Sequence, residues 1–359
     1  MAEVVGHWAN LAEAEKLTQT VLQAGVVQTV IEQGDLLPMM PVKQLNGKSL
    51  TYNREKAWTA SNGAAFYSIH EQIPWTADQE YATPIEVALK RIARQDSVDK
   101  FLQSTYGNVN DYRAVLLAEL AKRMTRFTEH MLIYGDKDNG GDKQFDGLHA
   151  MNQETPTVDI SSAVEGDTNI DNGNAALALS TLRMMLDTCK VDQVGRQNVA
   201  ILIPRVLGRR FDAGYQEAGF VRASVTVSLA NLVIGAREIG GRISFFDGIP
   251  LIRSDYLVAE QPDTGLSGAN KRDLYTSGTR NYSIFVIRFG HTEEGGLETL
   301  FGDVGVTEGQ FSPFRHEMFD KLENYDAGGE RLVTYIAPAL GAVHSLGRIV
   351  DITDAALVP

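Results

Sequence analysis

Several groups of residues have types and spacings that invite chemistry. Gly47-Lys48-Ser49 is the tail of a phosphate-binding loop, where a lysine and a hydroxyl follow a glycine-rich backbone that wraps the phosphate. The motif needs another glycine five residues before Gly47, and that position is Val42, so the cradle is missing. Asp136, Asp138 and Asp142 suggest a calcium loop. A loop starting at Asp136 needs a side-chain oxygen at position 140 and a bidentate glutamate at 147. Gly140 and Gly147 stand there, which leaves a solvated acidic turn. His291 with Glu293 and Glu294, and His316 with Glu317, lack the second histidine of a hydrolytic zinc site. No Gly-x-Ser-x-Gly nucleophile is present, and Cys189, the single cysteine, reads as a small packing residue. The chain is therefore not expected to be an enzyme, and no catalytic, cofactor-binding or metal-ligating residue is assigned.

The composition points the same way. The 359 residues, 43% of them hydrophobic, are enough for one elaborate domain or two modest ones. A net charge of -13 argues against wrapping nucleic acid through phosphate neutralisation, although an acidic wall can enclose it. A single cysteine fits folding in a reducing compartment. The first eight residues carry Glu3 and no Lys or Arg, unlike a secretory leader, and no apolar run reaches membrane-spanning length. A soluble protein assembled in a cytoplasm is expected.

These residues must be held by a definite set of elements. Leu11, Ala14, Leu17, Val21 and Leu22 give residues 9–33 one apolar helical face, closed by Gly34 and Pro38. Residues 49–58 are strand-like, and Ile85, Val87 and Leu89 alternate with Glu86, Ala88 and Lys90. Between them lies a stretch rich in aromatics: Trp58, Phe66, Tyr67, Trp75 and Tyr81. It reads as a long hairpin whose aromatics need burial, either on its own core or on another chain.

The clearest element follows. Tyr112, Leu116, Leu120, Met124, Phe127, Met131 and Tyr134 recur at spacings of four and three, one stripe of an α-helix. Asn110 can cap it, and Gly135 ends it. The rod spans about residues 110–135, roughly 37 Å. Residues 135–147 then form a polar glycine-rich loop, and 155–173 a polar connection. Beyond these, 175–187 and 205–215 read as helix, and 199–203, 243–252, 283–289, 330–336 and 349–352 as strands. Helices and strands mix without regular alternation, which favours an α+β fold over a doubly wound sheet.

At the long helix and its sequel the sequence resembles the tailed-phage major capsid proteins of the Hong Kong 97 type. The motif is Tyr134-Gly135-Asp136, a short polar loop, then Phe145-Asp146-Gly147-Leu148. Upstream, the strand-hairpin-strand series resembles that family's E-loop, with Glu71 near its distal part. Downstream, Val199-Ala200-Ile201-Leu202-Ile203-Pro204 and Gly248-Ile249-Pro250 resemble its axial-domain strands, and 315–337 its closing long strand.

The resemblance implies an N-terminal arm (1–45), an E-loop (57–83), a peripheral domain (46–56, 84–155 and 312–337) and an axial domain (156–311 and 338–359). It implies self-assembly as pentamers and hexamers into an icosahedral virion shell around double-stranded DNA. The expected partners are a portal, a separate scaffolding protein and a decoration protein, with no membrane and no cofactor. Trp58, Phe66, Tyr67, Glu71, Trp75 and Tyr81 become the expected intersubunit contacts. Two departures bear on mechanism. The founding member's shell is covalently linked through an E-loop lysine, and no lysine lies between Lys56 and Lys90. About 45 residues precede the first strand, too few for the cleaved scaffolding segment of some relatives. An encapsulin-type compartment and a soluble α+β enzyme remain the alternatives.

Overall fold

The structure, a computed structural model, describes residues 36–54, 66–72, 84–101, 104, 112–137, 143–152, 157–159, 168–191, 195–196, 198–217, 244–261, 274–276, 278–303, 314–320 and 326–358. Strands β1 (Val42–Leu45), β2 (Ser49–Tyr52), β3 (Ile85–Ala88) and β4 (Lys90–Asp99) precede the long helix α1 (Tyr112–Tyr134). Helix α2 (Leu148–Asn152), strands β5 (Thr157–Asp159) and β6 (Asn169–Ala175), helix α3 (Leu179–Thr188), strand β7 (Val199–Pro204) and helix α4 (Arg205–Glu217) follow. The series closes with β8 (Ser244–Phe246), β9 (Ile249–Ser254), β10 (Asn281–Arg288), β11 (Leu297–Gly302), β12 (Phe314–Phe319), β13 (Ala327–Leu340) and β14 (Leu346–Thr353).

The strands form a five-stranded, a seven-stranded and a two-stranded sheet. In the first, long β13 pairs antiparallel with β4 from Ala327↔Asp99 to Ile336↔Lys90, and with β11 and β12. β1 runs parallel to β11. β1 and β11 lie in segments expected from sequence to be arm and axial domain. The second sheet has the order β5-β6-β14-β10-β7-β9-β8 and mixes parallel and antiparallel pairs. The third pairs β2 with β3, from Ser49↔Ala88 to Tyr52↔Ile85, and forms the base of the hairpin. Tyr52 Oη donates to Leu340 O at 2.5 Å, and Arg54 Nε to Gly341 O at 2.8 Å. The hairpin base is thus tied to the end of β13.

The central strands β14, β10 and β7 of the seven-stranded sheet are buried on both faces, which explains their unbroken apolar runs. Along β7, Ala200 and Leu202 face one core, while Val199, Ile201 and Ile203 face the other. On β10, Phe285 and Ile287 join the first set, Ile284 and Val286 the second. The first core also holds Leu36, Met39 and Met40, the end of α1, Phe145, Leu148 and β13. The second lies under α3 and α4, with Leu182, Met185, Leu207 and Phe211. Each fully buried large apolar side chain contributes about 1.5–3 kcal/mol.

Several sequence expectations change. Along α1, Leu120, Met124, Met131 and Tyr134 are buried and Leu116 is half-buried, but Phe127 is 52% exposed. It faces a groove between α1 and β4 instead of the core. The last turn of α1, residues 131–134, is buried all round, so Leu132 and Ile133 are inside although off the stripe, as are Thr128 and Glu129 before them. Asn110 and the side chain of Tyr112 lie outside the described residues, as do residues 9–33. The polar stretch 155–173 contains β5 and most of β6, which extend the seven-stranded sheet through parallel pairing to β14. β6 is mostly Asn and Asp and β5 is only three residues long, so no apolar alternation marks them. Residues 243–252 contain two strands, not one: β8 and β9 join through Asp247-Gly248, both at positive φ, the turn that an Asp-Gly pair favours. Residues 315–337 likewise contain two antiparallel strands, β12 and β13.

Candidate functional site

The sequence motifs with possible chemistry take structural roles. Lys48 O accepts a hydrogen bond from Leu89 N at 3.0 Å. His291 Nδ1 lies 2.8 Å from Glu298 Oε2, and His316 Nε2 3.1 Å from Glu330 Oε2. Cys189 is buried, and burial pushes its thiol up to about 12, so it is no thiolate nucleophile near neutrality. Among the described residues, no group of three or more His, Cys, Asp or Glu could hold a metal ion. No described helix is long and apolar enough to cross a membrane. Asp138, Gly140 and Asp142 lie outside the described residues.

Two surface features stand out instead. The first is the segment 66–72, between β2 and β3 in the chain. Phe66 is fully exposed, Ile69 is 90% exposed and Tyr67 40%. They ride on a turn in which Glu71 N donates to Ser68 O at 3.0 Å and Ser68 N donates to Glu71 Oε2 at 2.7 Å. His70 sits at φ 78, the left-handed position of that turn. Three large apolar side chains in four residues are thereby presented to solvent, a pattern that marks an interaction site. Trp58, Trp75 and Tyr81 lie outside the described residues. The second feature is a groove of about 370 Å³ between α1 and β4, floored by Met124, Phe127, Met131 and Phe145.

Behind the surface, the end of α1 is fastened in two ways. The first is the Gly-Asp and Gly-Leu turn. Gly135 N donates to Met131 O at 2.7 Å, Gly147 N to Gly135 O at 2.9 Å, and Met151 N to Gly147 O at 2.9 Å. Lys137 N donates to Asp146 Oδ1 at 2.9 Å. Gly147 lies so close to Gly135 N that a Cβ would stand 2.7 Å away. Asp136 and Leu148 are buried beside it.

The second fastening, missed in the sequence, is a buried polar cluster around Glu260. Its Oε1 accepts from Tyr134 Oη at 3.2 Å and lies 2.7 Å from His149 Nε2. Its Oε2 accepts from Ser283 Oγ at 2.6 Å and from Arg348 Nη2 at 3.1 Å. His149 Nδ1 lies 3.0 Å from Ile133 O. Tyr134, His149, Glu260 and Arg348 are all buried. Burial pushes the Glu260 carboxyl up, but His149, Arg348 and Ser283 outweigh it and hold the group at about 2. Burial pushes the imidazole of His149 below its ordinary value, against the pull of Glu260. No linear signal links positions 134, 149, 260, 283 and 348.

Both depressed values have the same sign for stability. The contribution of Glu260 is complete above its ordinary 4.5 and is lost as pH falls toward 2. That of His149 is lost as pH falls below its ordinary 6.5. Urea unfolding of subunits at pH 7, 5 and 3 should show stability falling throughout, with Glu260 alone accounting for about 2 kcal/mol of the loss. Equal stability at pH 7 and 3 would refute this linkage.

No protein-family model and no curated protein matches the sequence. Solved structures do match in shape. The chain is similar to the subunit of the holo-SrpI encapsulin complex from Synechococcus elongatus PCC 7942, with 15% identity, a TM-score of 0.62 and 97% of each chain covered. It is similar to the capsid of cyanophage A-1(L), with 13% identity, a TM-score of 0.60 and coverage of 94% of this chain and 98% of that one. The capsid of the native GTA particle matches with 12% identity, a TM-score of 0.57 and coverage of 95% and 97%. With its long helix, hairpin base and two principal sheets, the chain has the Hong Kong 97-type fold of capsid and encapsulin shell proteins.

Proposed function

We propose that the protein is the major capsid protein of a tailed double-stranded DNA phage, assembling as pentamers and hexamers into an icosahedral virion shell. The observation that carries this is correspondence over nearly the whole chain with shell subunits, most of them phage capsids. The exposed apolar residues Phe66, Tyr67 and Ile69 support it, because a shell subunit needs such surface only until a neighbour covers it. At ~25 cal/mol per Å², a few hundred Å² buried there contributes several kcal/mol before ordering costs. Closed rings of heterologous contacts multiply it.

In this reading residues 1–45 form the N-terminal arm, residues 46–56, 84–155 and 312–337 the peripheral domain, residues 57–83 the E-loop, and residues 156–311 and 338–359 the axial domain. Trp58, Phe66, Tyr67, Glu71, Trp75 and Tyr81 make intersubunit contacts. A portal, a separate scaffolding protein and a decoration protein are the expected partners, assembly takes place in the host cytoplasm, and no enzymatic activity is required. Isopeptide crosslinking through the E-loop is not expected, since residues 57–83 contain no lysine.

A second reading, an encapsulin compartment, is favoured by the encapsulin match at a TM-score of 0.62. Electron microscopy of particles together with their 260/280 nm absorbance ratio separates the two: DNA-filled shells support the phage reading, and protein-filled shells the compartment. Trp75→Ala should lower particle yield while leaving the thermal unfolding of the subunit near wild type. Equal loss of both would remove the hairpin from the assembly contacts.

A further inference from the structure

Strand β12 stands at an open edge of the five-stranded sheet. Among the described residues it pairs with β13 alone, in unbroken register from Phe314↔Thr334 to Phe319↔Gly329. An open edge is normally blunted by a proline, lysines or a bulge, and β12, of sequence Phe-Arg-His-Glu-Met-Phe, has none of them. Its side chains alternate: Phe314, His316 and Met318 are exposed on one face, while Arg315, Glu317 and Phe319 are half-buried on the other. Phe314 is 44% and Met318 60% exposed. The edge thus offers backbone donors and acceptors flanked by apolar side chains, the combination that strand addition uses.

The order of these residues is self-complementary. Along a strand edge the outward N–H and C=O groups belong to every second residue. Two copies of the same edge therefore bond antiparallel only with residues of like parity opposed, and the two-fold axis passes through a residue, not between two. An axis at Arg315 sets that arginine against itself, and an axis at Glu317 does the same for the glutamate, each a destabilising like-charge pair. Axes nearer the ends leave half of the strand or more unpaired. An axis at His316 sets Arg315 opposite Glu317 and Phe314 opposite Met318, each twice. His316 meets itself there, but each imidazole is held toward its own β13 by Glu330 Oε2, 3.1 Å from its Nε2. We propose that β12 of one copy pairs antiparallel with β12 of a second about that axis, so that the two five-stranded sheets continue into one. Glu317 already lies 2.9 Å from Arg315 and 3.3 Å from Arg331 in its own chain, and the pairing brings a second copy of Arg315 to the same carboxylate. Such a contact is isologous, and isologous contacts do not close rings of five or six. In the shell reading, on which this role rests, it joins one ring to the next.

Cysteine crosslinking in the full-length chain tests this, Cys189 being buried. His316→Cys puts two thiols directly opposite across the axis, where the Cα atoms of paired strands stand about 4.5–5.5 Å apart, within disulfide reach. Mild oxidation, of particles and of concentrated free subunits, should give ~tenfold more disulfide-linked dimer on a non-reducing gel than Met318→Cys. That control lies on the same exposed face, and the axis sets it opposite Phe314. The pair Phe314→Cys with Met318→Cys should crosslink as well as His316→Cys, since the two positions, about 13 Å apart along one strand, cannot bond within a chain. It leaves the contact of His316 with Glu330 intact and replaces the first variant if that folds poorly. Arg315→Glu added to His316→Cys should lower the dimer ~fivefold, and Glu317→Arg added to both should restore it. Equal dimer from Met318→Cys and His316→Cys, or particles in which neither His316→Cys nor the paired variant crosslinks, overturns the contact and leaves the shell reading standing. Crosslinked dimers from a chain that never forms particles bear out the pairing and overturn the shell reading.

Discussion

Replacing Glu260 with leucine should cost the folded subunit ~3–5 kcal/mol, one of the two largest effects expected from a single substitution. The carboxylate is the common acceptor for Tyr134, Ser283, Arg348 and the imidazole of His149. Its removal leaves the Arg348 guanidinium, 1% exposed, charged and without that counter-ion in the interior. A buried charge that has lost its partner costs far more than the intact pair contributes, because the desolvation of the remaining ion is no longer offset. Glu260→Gln keeps the shape and should cost less, since an amide oxygen still accepts from Ser283 or Tyr134. The double variant Glu260→Leu, Arg348→Met should be more stable than Glu260→Leu alone, because it removes the buried charge together with this counter-ion. Urea midpoints at pH 7 for the two single variants and the double give the coupling directly. Simple additivity would show that the groups do not act as a unit.

That cluster matters beyond its energy because of what it joins. Tyr134 ends α1, His149 is on α2, Ser283 on β10 and Arg348 on β14. The long helix that carries the groove is thereby fixed to the middle of the seven-stranded sheet through oriented hydrogen bonds rather than apolar contact alone. Apolar packing tolerates small slides between elements, whereas a carboxylate holding four partners does not. In the capsid reading proposed above, such a joint lets contacts made elsewhere on the subunit set the orientation of the whole.

The sequence disclosed the parts of this arrangement that depend on local patterning. The four-and-three spacing from Leu116 to Tyr134 marks α1 because a helix brings such residues onto one face, and the run Val199–Pro204 marks a strand buried on both sides. Phe127 fits the same spacing and is exposed, since spacing reports a face of the helix and not whether that face is covered. β5 and β6 stayed hidden because their Asn and Asp side chains carry no alternation, their place being set by pairing with β14. β4 past Arg91 was hidden for a related reason: nine of its ten side chains are exposed or only partly buried, and its partner β13 lies more than 200 residues away in the chain. The Glu260 cluster assembles from five distant positions and could not be read from any window. The Gly135 and Gly147 pair lies between these cases, with its positions visible in the motif and its physical cause visible only in the packing.

Gly147→Ala should destabilise the subunit by about 3 kcal/mol or more and lower its soluble yield. A methyl group there would stand 2.7 Å from Gly135 N, 2.7 Å from Met131 O and 2.8 Å from Leu132 O. All three are backbone atoms of the last turn of α1 and its exit, so no side chain can swing aside. The loop would have to lift away from the helix, stretching the Gly147 N to Gly135 O bond and unseating Leu148, which is 1% exposed. Gly147 is not at positive φ, so the expected loss is a matter of crowding and not of backbone preference. Gly135→Ala should behave alike, its Cβ meeting Met131 O at 2.4 Å and Phe145 O at 2.6 Å. Gly47→Ala is the control: no atom lies within 4 Å of its Cβ, and the change should stay within ~0.5 kcal/mol. Thermal and urea unfolding of the three variants check the order. A Gly147→Ala subunit as stable as Gly47→Ala would mean that the turn yields easily, and the close glycine contact would then not be what holds the end of α1 in place.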